Sequence, residues 1–213
     1  MGLAQPGVLL HPAFRPALWA LCALPALWLW GSALSGHLGP NPAEALIRGL
    51  GDWTLRLLLC TLAVTPLRRA LAWPALARWR RGLGLWTAAY AVQHALAYAW
   101  LDMDADAGLV WADVLQRPFI LVGALALLGL LPLAATSVDR AVRWLGAARW
   151  RALHRAVYGI AVLALLHFYW MRAGKNDFAE VHWHAALLAG LLGLRLWWRW
   201  QQRQSASGRS SRH

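Results

Sequence analysis

Long apolar segments alternate with short polar segments along this chain. The apolar segments cover about residues 14–34, 51–66, 82–100, 117–135, 149–170 and 183–200. About 20 apolar residues in a helix span a hydrocarbon core roughly 30 Å thick. The pattern therefore predicts an all-α membrane protein, a six-helix bundle within residues 14–200. Pro66 is expected to end the second helix, because proline has no N–H to donate.

The composition supports a membrane protein. Of the 213 residues, 60% are hydrophobic and only 14% are charged, and 16 are tryptophan. A soluble domain of this length is usually more polar. The two cysteines, Cys22 and Cys60, are far apart and form no CxxC motif. Zinc sites, iron–sulfur clusters and c-type haem attachment therefore have no support in the sequence.

The distribution of charge indicates an orientation in the membrane. The net charge is +12, and most basic residues lie in segments 68–81, 140–155 and 195–212. Of the nine acidic residues, only Asp139 lies beside a basic segment, directly before Arg140. This alternation follows the positive-inside rule and predicts that both termini are cytoplasmic, so a nucleic-acid partner is not expected. Residues 1–13 form an N-terminal segment, and the polar, basic residues 201–213 are expected to be a disordered tail.

Histidines inside the apolar segments are the strongest functional candidates. His154 and His167 are 13 residues apart in segment 149–170, which corresponds to about 20 Å along one helix. They differ by roughly 140° around that axis, and a bend near Gly159 would reduce this offset. His94 lies about 18 Å above the basic end of the third helix, at nearly the depth of His167. The sequence therefore predicts a bis-histidine haem at His94 and His167, and the alternative is a pair of hydrogen-bonded core histidines.

Other polar residues have simpler explanations. Arg56 lies inside the second helix, where it extends to the interface or faces a haem propionate. The acidic segment 101–113 begins LDMDAD but lacks the glycine and glutamate of a calcium-binding loop. His37, His182 and His184 are expected to be solvated residues of the outer segments.

Several motifs occur together in an order that resembles a known family. They are LAVTPLRR, RRGLGLW, the QH of the third helix, RPF, LG..RWRALHRAVY and LLHFYW. From about residue 36 to residue 200 the chain is similar to the MsrQ (YedZ) family, which belongs to the ferric-reductase-like transmembrane group. The family supplies the haem-binding membrane subunit of a periplasmic methionine sulfoxide reductase system.

The resemblance implies a multi-pass protein of the bacterial inner membrane that binds b-type haem. It would transfer electrons to a periplasmic molybdenum enzyme that resembles MsrP. His94, His154 and His167 match the haem-associated histidines of the family, with the iron bound by His94 and His167. The wider group has two histidines on each of two helices, whereas the third helix here has only one. His154 thus has no histidine partner, and a second haem remains open.

The resemblance also implies FMN on the cytoplasmic side, with a flavin reductase or the quinone pool as donor. The cationic residues that would suit a flavin phosphate are Arg68, Arg69, Arg78, Arg80 and Arg81. The alternative is that these arginines only set the topology, by the positive-inside rule. The chain has no dinucleotide-binding fingerprint, so the reductant is expected to come from another protein or from quinol. We expect an electron-transfer subunit rather than a complete enzyme.

Three further points remain open at the level of sequence. His154 is interpreted as the ligand of a second haem, the neighbour of a flavin, or a histidine hydrogen-bonded at the inner interface. The outer segments 101–113 and 172–181 are expected to dock the periplasmic partner. The competing functions are a stand-alone ferric or quinone reductase and a haem-free scaffold or transporter.

Overall fold

The computed structural model describes residues 7, 11–173, 176 and 178–210, and their regular structure is helical throughout. This confirms the all-α prediction. A short 3-10 helix, Pro74–Arg78, precedes α3. The α-helices are α1 Phe14–Leu34, α2 Pro42–Leu71, α3 Trp79–Leu101, α4 Ala107–Gln116, α5 Pro118–Ala135, α6 Asp139–His154, α7 Val157–Ala173 and α8 Ala179–Ser210.

Within the described residues, four helical segments are long and apolar enough to cross a membrane. They are Phe14–Leu34, Pro42–Leu71, Pro118–Ala135 and the combined stretch Asp139–Ala173. The protein is therefore a multi-pass membrane protein. α3 is also long enough for a crossing, at 23 residues, and α8 has 32 residues.

The second helix begins earlier than the sequence analysis placed it. α2 starts at Pro42, where the side chain of Asn41 accepts a hydrogen bond from the backbone N–H of Glu44 at 3.2 Å. An N-cap asparagine, a proline at the first helical position and a glutamate at the third are all helix-start signals. The prediction that the second helix begins at about residue 51 is wrong, because these capping residues, which lie before the apolar segment, set its start.

The same helix also continues past Pro66, which was expected to end it. Proline leaves the carbonyl of residue i−4 without its helical donor, and here that residue is Leu62. The guanidinium of Arg195 in α8 donates a hydrogen bond to the Leu62 carbonyl. A contact from a distant helix thus replaces the missing bond, and α2 ends only at Leu71.

The acidic outer segment contains a helix of its own. Asp106 accepts hydrogen bonds from the backbone N–H groups of Gly108 and Leu109, and so caps α4. Near the end of α4, Asp113 accepts a hydrogen bond from the Tyr98 hydroxyl at 2.5 Å. Segment 101–113 is therefore partly ordered by its own carboxylates.

Residues 149–170 do not form one helix. α6 ends at His154 and α7 begins at Val157, so the break lies at Arg155 and Ala156, three to four residues before Gly159. α6 is itself kinked at Gly146. Its φ of 75° is a value that glycine adopts easily and that strains other residues. His154 and His167 therefore lie on different helices, and their spacing along a single axis does not apply. At the other end of the chain, α8 continues to Ser210, into the segment expected to be disordered.

The two larger buried clusters of the described residues hold most of the helices together, and a smaller third cluster joins α2, α7 and α8. α1, α2 and α3 enclose the first, and α2, α3, α5, α7 and α8 enclose the second. In the first cluster the Tyr90 hydroxyl donates to the Cys22 carbonyl and accepts from the Ala26 N–H, both at 2.8 Å. It thereby fills a gap in the α1 ladder beside Pro25.

Candidate functional site

His94 projects from α3 against the backbone of α2. Its Nδ1 lies 2.8 Å from the carbonyl oxygen of Ile47. A Cβ atom on Gly51, one turn further along α2, would lie 3.2 Å from both Nδ1 and Cε1 of this ring. The imidazole is therefore held between α2 and α3, with its position set by backbone atoms of α2.

His167 has the same arrangement on the other pair of helices. It projects from α7, and its Nδ1 lies 2.6 Å from the carbonyl oxygen of Phe119 in α5. A Cβ atom on Gly123 would lie 2.8 Å from this Nδ1. The ring also stacks on the Phe119 side chain, with centroids 6.1 Å apart and planes at 27°.

These contacts assign the tautomer of both rings. A carbonyl oxygen only accepts hydrogen bonds, so Nδ1 must carry the proton in His94 and in His167. In a neutral imidazole, Nε2 then keeps its lone pair. Among the described residues, neither Nε2 has a hydrogen-bond partner. Both rings are therefore prepared as ligands, since metal-binding histidines usually donate their other N–H to such an acceptor.

The structure brings the two rings together. Their centroids are 6.2 Å apart and their planes are at 72°. Two imidazoles on opposite sides of one metal ion, with metal–nitrogen bonds of about 2.0 Å, have centroids about 6 Å apart. The described residues contain no group of three or more His, Cys, Asp or Glu side chains suited to a metal ion. Two imidazoles in this arrangement could bind one metal ion between them.

Arg56 lies near the middle of α2, in a charged cluster with residues at the end of α7 and the start of α8. Its guanidinium is 3.8 Å from a carboxylate oxygen of Glu180 and lies over the ring of Trp53. Glu180 also accepts from Arg172 at 3.0 Å, and Arg172 is 3.6 Å from Asp52. The structure thus gives Arg56 a carboxylate partner from the protein, and a haem propionate contact remains a prediction.

The histidines of the outer segments differ from one another. His37 and His182 are exposed, as expected. His184 is buried, with its Nδ1 2.6 Å from the Glu180 carbonyl and its ring edge-on to Phe168. The expectation that His184 is solvated is therefore wrong. Its position one turn into α8 places it on the face that packs against α7.

A cavity of about 250 Å³ lies at the basic end of the helices. Polar and aromatic groups on its lining include Thr61, Arg80, Arg81, Ser137, Trp150 and His154. His94 and His167 do not line it. The site at the basic end is therefore separate from the histidine pair.

His154 is held at the edge of this cavity by two residues. Its ring stacks on Trp150, with centroids 4.0 Å apart, and its Nε2 lies 3.1 Å from the Thr136 hydroxyl. The indole N–H of Trp150 donates to the Thr136 carbonyl at 2.8 Å. No second histidine faces it on the cavity lining.

The arginines suggested for a flavin phosphate do not act as one group. Arg80 and Arg81 line the cavity, and Arg81 also pairs with Asp139 at 2.5 Å. Arg69 instead lies over the ring of Trp198 in α8. Arg68 and Arg78 are exposed and do not line the cavity.

Comparison with known proteins defines the class to which this fold and site belong. Residues 50–165 match the family model described as "Ferric reductase like transmembrane component". This region includes α3, α5, α6 and most of α2 and α7, and with them His94 and His154. No solved structure matches the chain.

Curated relatives narrow the class further. A protein of Polaromonas naphthalenivorans is 55% identical over 90% of this chain and 88% of its own length. Relatives from Ralstonia nicotianae and Caulobacter vibrioides are 48% and 42% identical, each over 89% of this chain and 87% and 88% of their own lengths. All three are named "Protein-methionine-sulfoxide reductase heme-binding subunit MsrQ". The chain belongs to the MsrQ family, as its sequence motifs indicated.

Proposed function

We propose that this protein is the membrane electron-transfer subunit of a protein-methionine-sulfoxide reductase system. It carries electrons through a b-type haem bound by His94 and His167 and delivers them to a periplasmic molybdenum enzyme resembling MsrP. The observation that carries this proposal is the pair of imidazoles 6.2 Å apart, each donating Nδ1–H to a backbone carbonyl. The relatives named as heme-binding subunits support the same cofactor.

The residues of the site suit such a group in three respects. A haem with two imidazole ligands supplies one-electron transfer without an open coordination position. The Ile47 and Phe119 carbonyls keep Nε2 of each ring unprotonated. The cationic Arg56, which already faces Glu180, is our candidate for pairing with a propionate.

Segregation of charge supports a six-crossing topology with both termini in the cytoplasm. At one end of the bundle Arg81 of α3 pairs with Asp139 of α6, and Arg69 of α2 lies over Trp198 of α8. The other end holds Asp102, whose pKa is raised by burial and by the nearby carboxylate of Glu44. By the positive-inside rule the basic end faces the cytoplasm of a bacterial inner membrane.

Electrons enter at the cavity on the basic end. Arg80 and Arg81 supply positive charge there, and Trp150 supplies an aromatic surface. These groups suit the phosphate and ring of FMN, loaded or reduced by a cytoplasmic flavin reductase. Quinol from the membrane is the second donor that the cavity fits, since its ring needs no phosphate site. His154 lies beside either donor and, with Trp150, is one of the α6 residues that line this cavity.

Electrons leave at the acidic end. α4 and the preceding turn lie on this side, and the exposed side chains there include Asp104 and Trp111. The second outer segment, 172–181, is described by the structure only at 172, 173, 176 and 178–181. Within it, Arg172 and Glu180 pair with each other. We retain both segments as the docking surface for the periplasmic enzyme.

The test is the visible and electron paramagnetic resonance spectrum of the purified protein. A bis-histidine b-type haem gives a low-spin spectrum with a sharp α-band on reduction. His94→Ala and His167→Ala are expected to abolish it, because each removes one of the two imidazoles that would bind the iron. His37→Ala, at an exposed outer position, is the matched control and keeps the spectrum. A full low-spin spectrum in both ligand variants would overturn the assignment.

Reconstitution separates the competing functions. With the periplasmic enzyme present, the proposed subunit supports reduction of methionine sulfoxide by a cytoplasmic-side donor. A stand-alone reductase would instead reduce ferric chelates or quinone equally well without that enzyme. A scaffold or transporter would purify without haem and would transfer no electrons.

A further inference from the structure

The two histidine contacts repeat one local pattern on two unrelated helices. The carbonyl that accepts from His94 belongs to Ile47, and Gly51 follows it by four residues. The carbonyl that accepts from His167 belongs to Phe119, and Gly123 also follows it by four residues. Residues i and i+4 lie one above the other on the same helix face. Each imidazole therefore contacts a carbonyl and a glycine on a single face.

The glycines make room for the rings. For both positions, the three nearest atoms to an added Cβ belong to the facing histidine. The shortest distances are 3.2 Å at Gly51 and 2.8 Å at Gly123. A methyl group at Gly123 would force the His167 ring away from its present position, and one at Gly51 would press on His94 less severely.

Helical packing in general does not require glycine at these positions. Glycine inside a helix is less favourable than alanine by about 1 kcal/mol. Gly159, on the same helix as His167, has no atom within 4 Å of an added Cβ. Gly51 and Gly123 differ from it in that the space beside them is filled by an imidazole.

We propose that Gly51 and Gly123 are positioning residues for the two iron ligands. By letting each ring reach a main-chain carbonyl, they hold Nδ1 as the donor and make Nε2 a stronger ligand. An imidazole that loses its Nδ1–H acceptor is a weaker base and stabilises ferric iron less. The inference rests on the proposed haem between His94 and His167.

Alanine substitution tests this directly. Gly123→Ala is expected to weaken haem binding by on the order of 10- to 100-fold, the usual range for loss of a ligand's supporting hydrogen bond. Haem that remains bound is expected to show a higher midpoint potential and altered low-spin g values. Gly51→Ala, with its longer contacts, gives smaller changes in the same direction. If Gly123→Ala does not fold, Gly51→Ala carries the test.

Matched controls exist on the same two helices. A Cβ on Gly129 of α5 would meet Ile160 at 3.0 Å, and one on Gly49 of α2 would meet Leu29 at 2.6 Å. Gly129→Ala and Gly49→Ala therefore disturb packing without touching either histidine. Both are expected to keep the wild-type midpoint potential and g values, even if their thermal stability falls.

The tautomers of the two histidines can also be measured in the absence of haem. In haem-free protein, ¹⁵N shifts of labelled histidine report which ring nitrogen carries the proton, and Gly123→Ala is expected to change those of His167. Unchanged potentials, spectra and shifts in both Gly51→Ala and Gly123→Ala would overturn the inference, as would equal changes in the two controls. A wild-type protein that binds haem without a bis-histidine spectrum would overturn the proposed function as well, which distinguishes the two failures.

Discussion

Nε2 of His154 lies 3.1 Å from the hydroxyl oxygen of Thr136. That hydroxyl donates its own hydrogen to the Pro132 carbonyl at 2.6 Å, so it accepts from His154. Nε2 of His154 therefore carries the proton, the opposite assignment to that of His94 and His167. The nitrogen left with a lone pair is Nδ1. The arrangement favours a hydrogen-bonded histidine that lines the cavity at the basic end over a histidine whose Nε2 is free to bind a metal ion.

His154→Ala is expected to leave the haem spectrum at His94 and His167 largely unchanged and to slow haem reduction from the cytoplasmic side. The reason is that His154 lines the cavity of the donor but is separate from the histidine pair. Thr136→Val removes the acceptor of its hydrogen bond and is expected to slow reduction partially. Stopped-flow reduction and a spectrum on the same preparation measure both effects. Loss of all haem would assign His154 to the main site, and a wild-type rate would make its role structural.

Arg80→Gln is expected to weaken FMN binding and flavin-driven haem reduction by on the order of tenfold or more. A hydrogen bond between a cation and a phosphate contributes about 1.5–3 kcal/mol. Arg68→Gln is the control, because Arg68 is exposed and does not line the cavity. Flavin fluorescence gives the affinity, and stopped-flow absorbance gives the rate.

The same pair of variants separates the two donors. Reduction by quinol needs no phosphate site, so Arg80→Gln is expected to leave quinol-driven rates near those of the wild type. A flavin site elsewhere would be indicated if Arg68→Gln and Arg80→Gln weakened FMN binding equally.

Arg195→Met is expected to destabilise the protein by about 1–3 kcal/mol, the cost of a buried polar group without a partner. The substitution leaves the Leu62 carbonyl without a donor, because Pro66 has no N–H. Thermal denaturation in detergent, followed by tryptophan fluorescence, measures the loss.

Restoring the helical donor should rescue this variant. Pro66→Ala supplies an N–H for the Leu62 carbonyl, so Arg195→Met combined with Pro66→Ala is expected to recover most of the lost stability. Strictly additive effects of the two substitutions would show that Arg195 stabilises α8 by other contacts, such as its hydrogen bond to the Leu191 carbonyl.

The Arg195 contact also shows why some helix boundaries were mispredicted. Apolar length was sufficient to locate the long apolar helices, because crossing a membrane demands it, but it did not reveal α4 or the separation of α6 from α7. The continuation of α2 past Pro66 depends on the guanidinium of Arg195, which donates to the Leu62 carbonyl from 133 residues further along the chain. No local pattern reveals such a contact. The start of α2, in contrast, was readable from Asn41, Pro42 and Glu44, which are local capping signals.

The histidine pair could be anticipated in part for a similar reason. Equal depth on two helices was enough to pair His94 with His167, because depth follows from helical rise. The carbonyls that fix their tautomers could not be foreseen, since they belong to Ile47 and Phe119 on other helices. For His154, the spacing from His167 could not be predicted from a single helical axis, because the helix is interrupted at the next two residues.

The acidic end of the molecule leads to a prediction about docking. Replacing Asp102 and Asp104 by lysine is expected to slow electron transfer to the periplasmic enzyme by on the order of tenfold at low salt. The dependence of the rate on ionic strength should weaken as well, since peripheral charges act mainly on the association rate. Asp106 is kept, because it caps α4 and its loss would unfold the surface under test.

The pH dependence of electron transfer provides an independent test of the same docking surface. Burial, followed by the carboxylate of Glu44, raises the pKa of Asp102. Its negative charge is therefore lost at a higher pH than that of an ordinary carboxyl group, and docking should weaken as the pH falls through this raised pKa. Asp102→Asn is expected to remove this step and to leave the transfer rate low throughout. Circular dichroism confirms that α4 remains helical in each variant. Transfer rates that stay at the wild-type level at low salt, in both the lysine and the asparagine variants, would place the docking surface elsewhere.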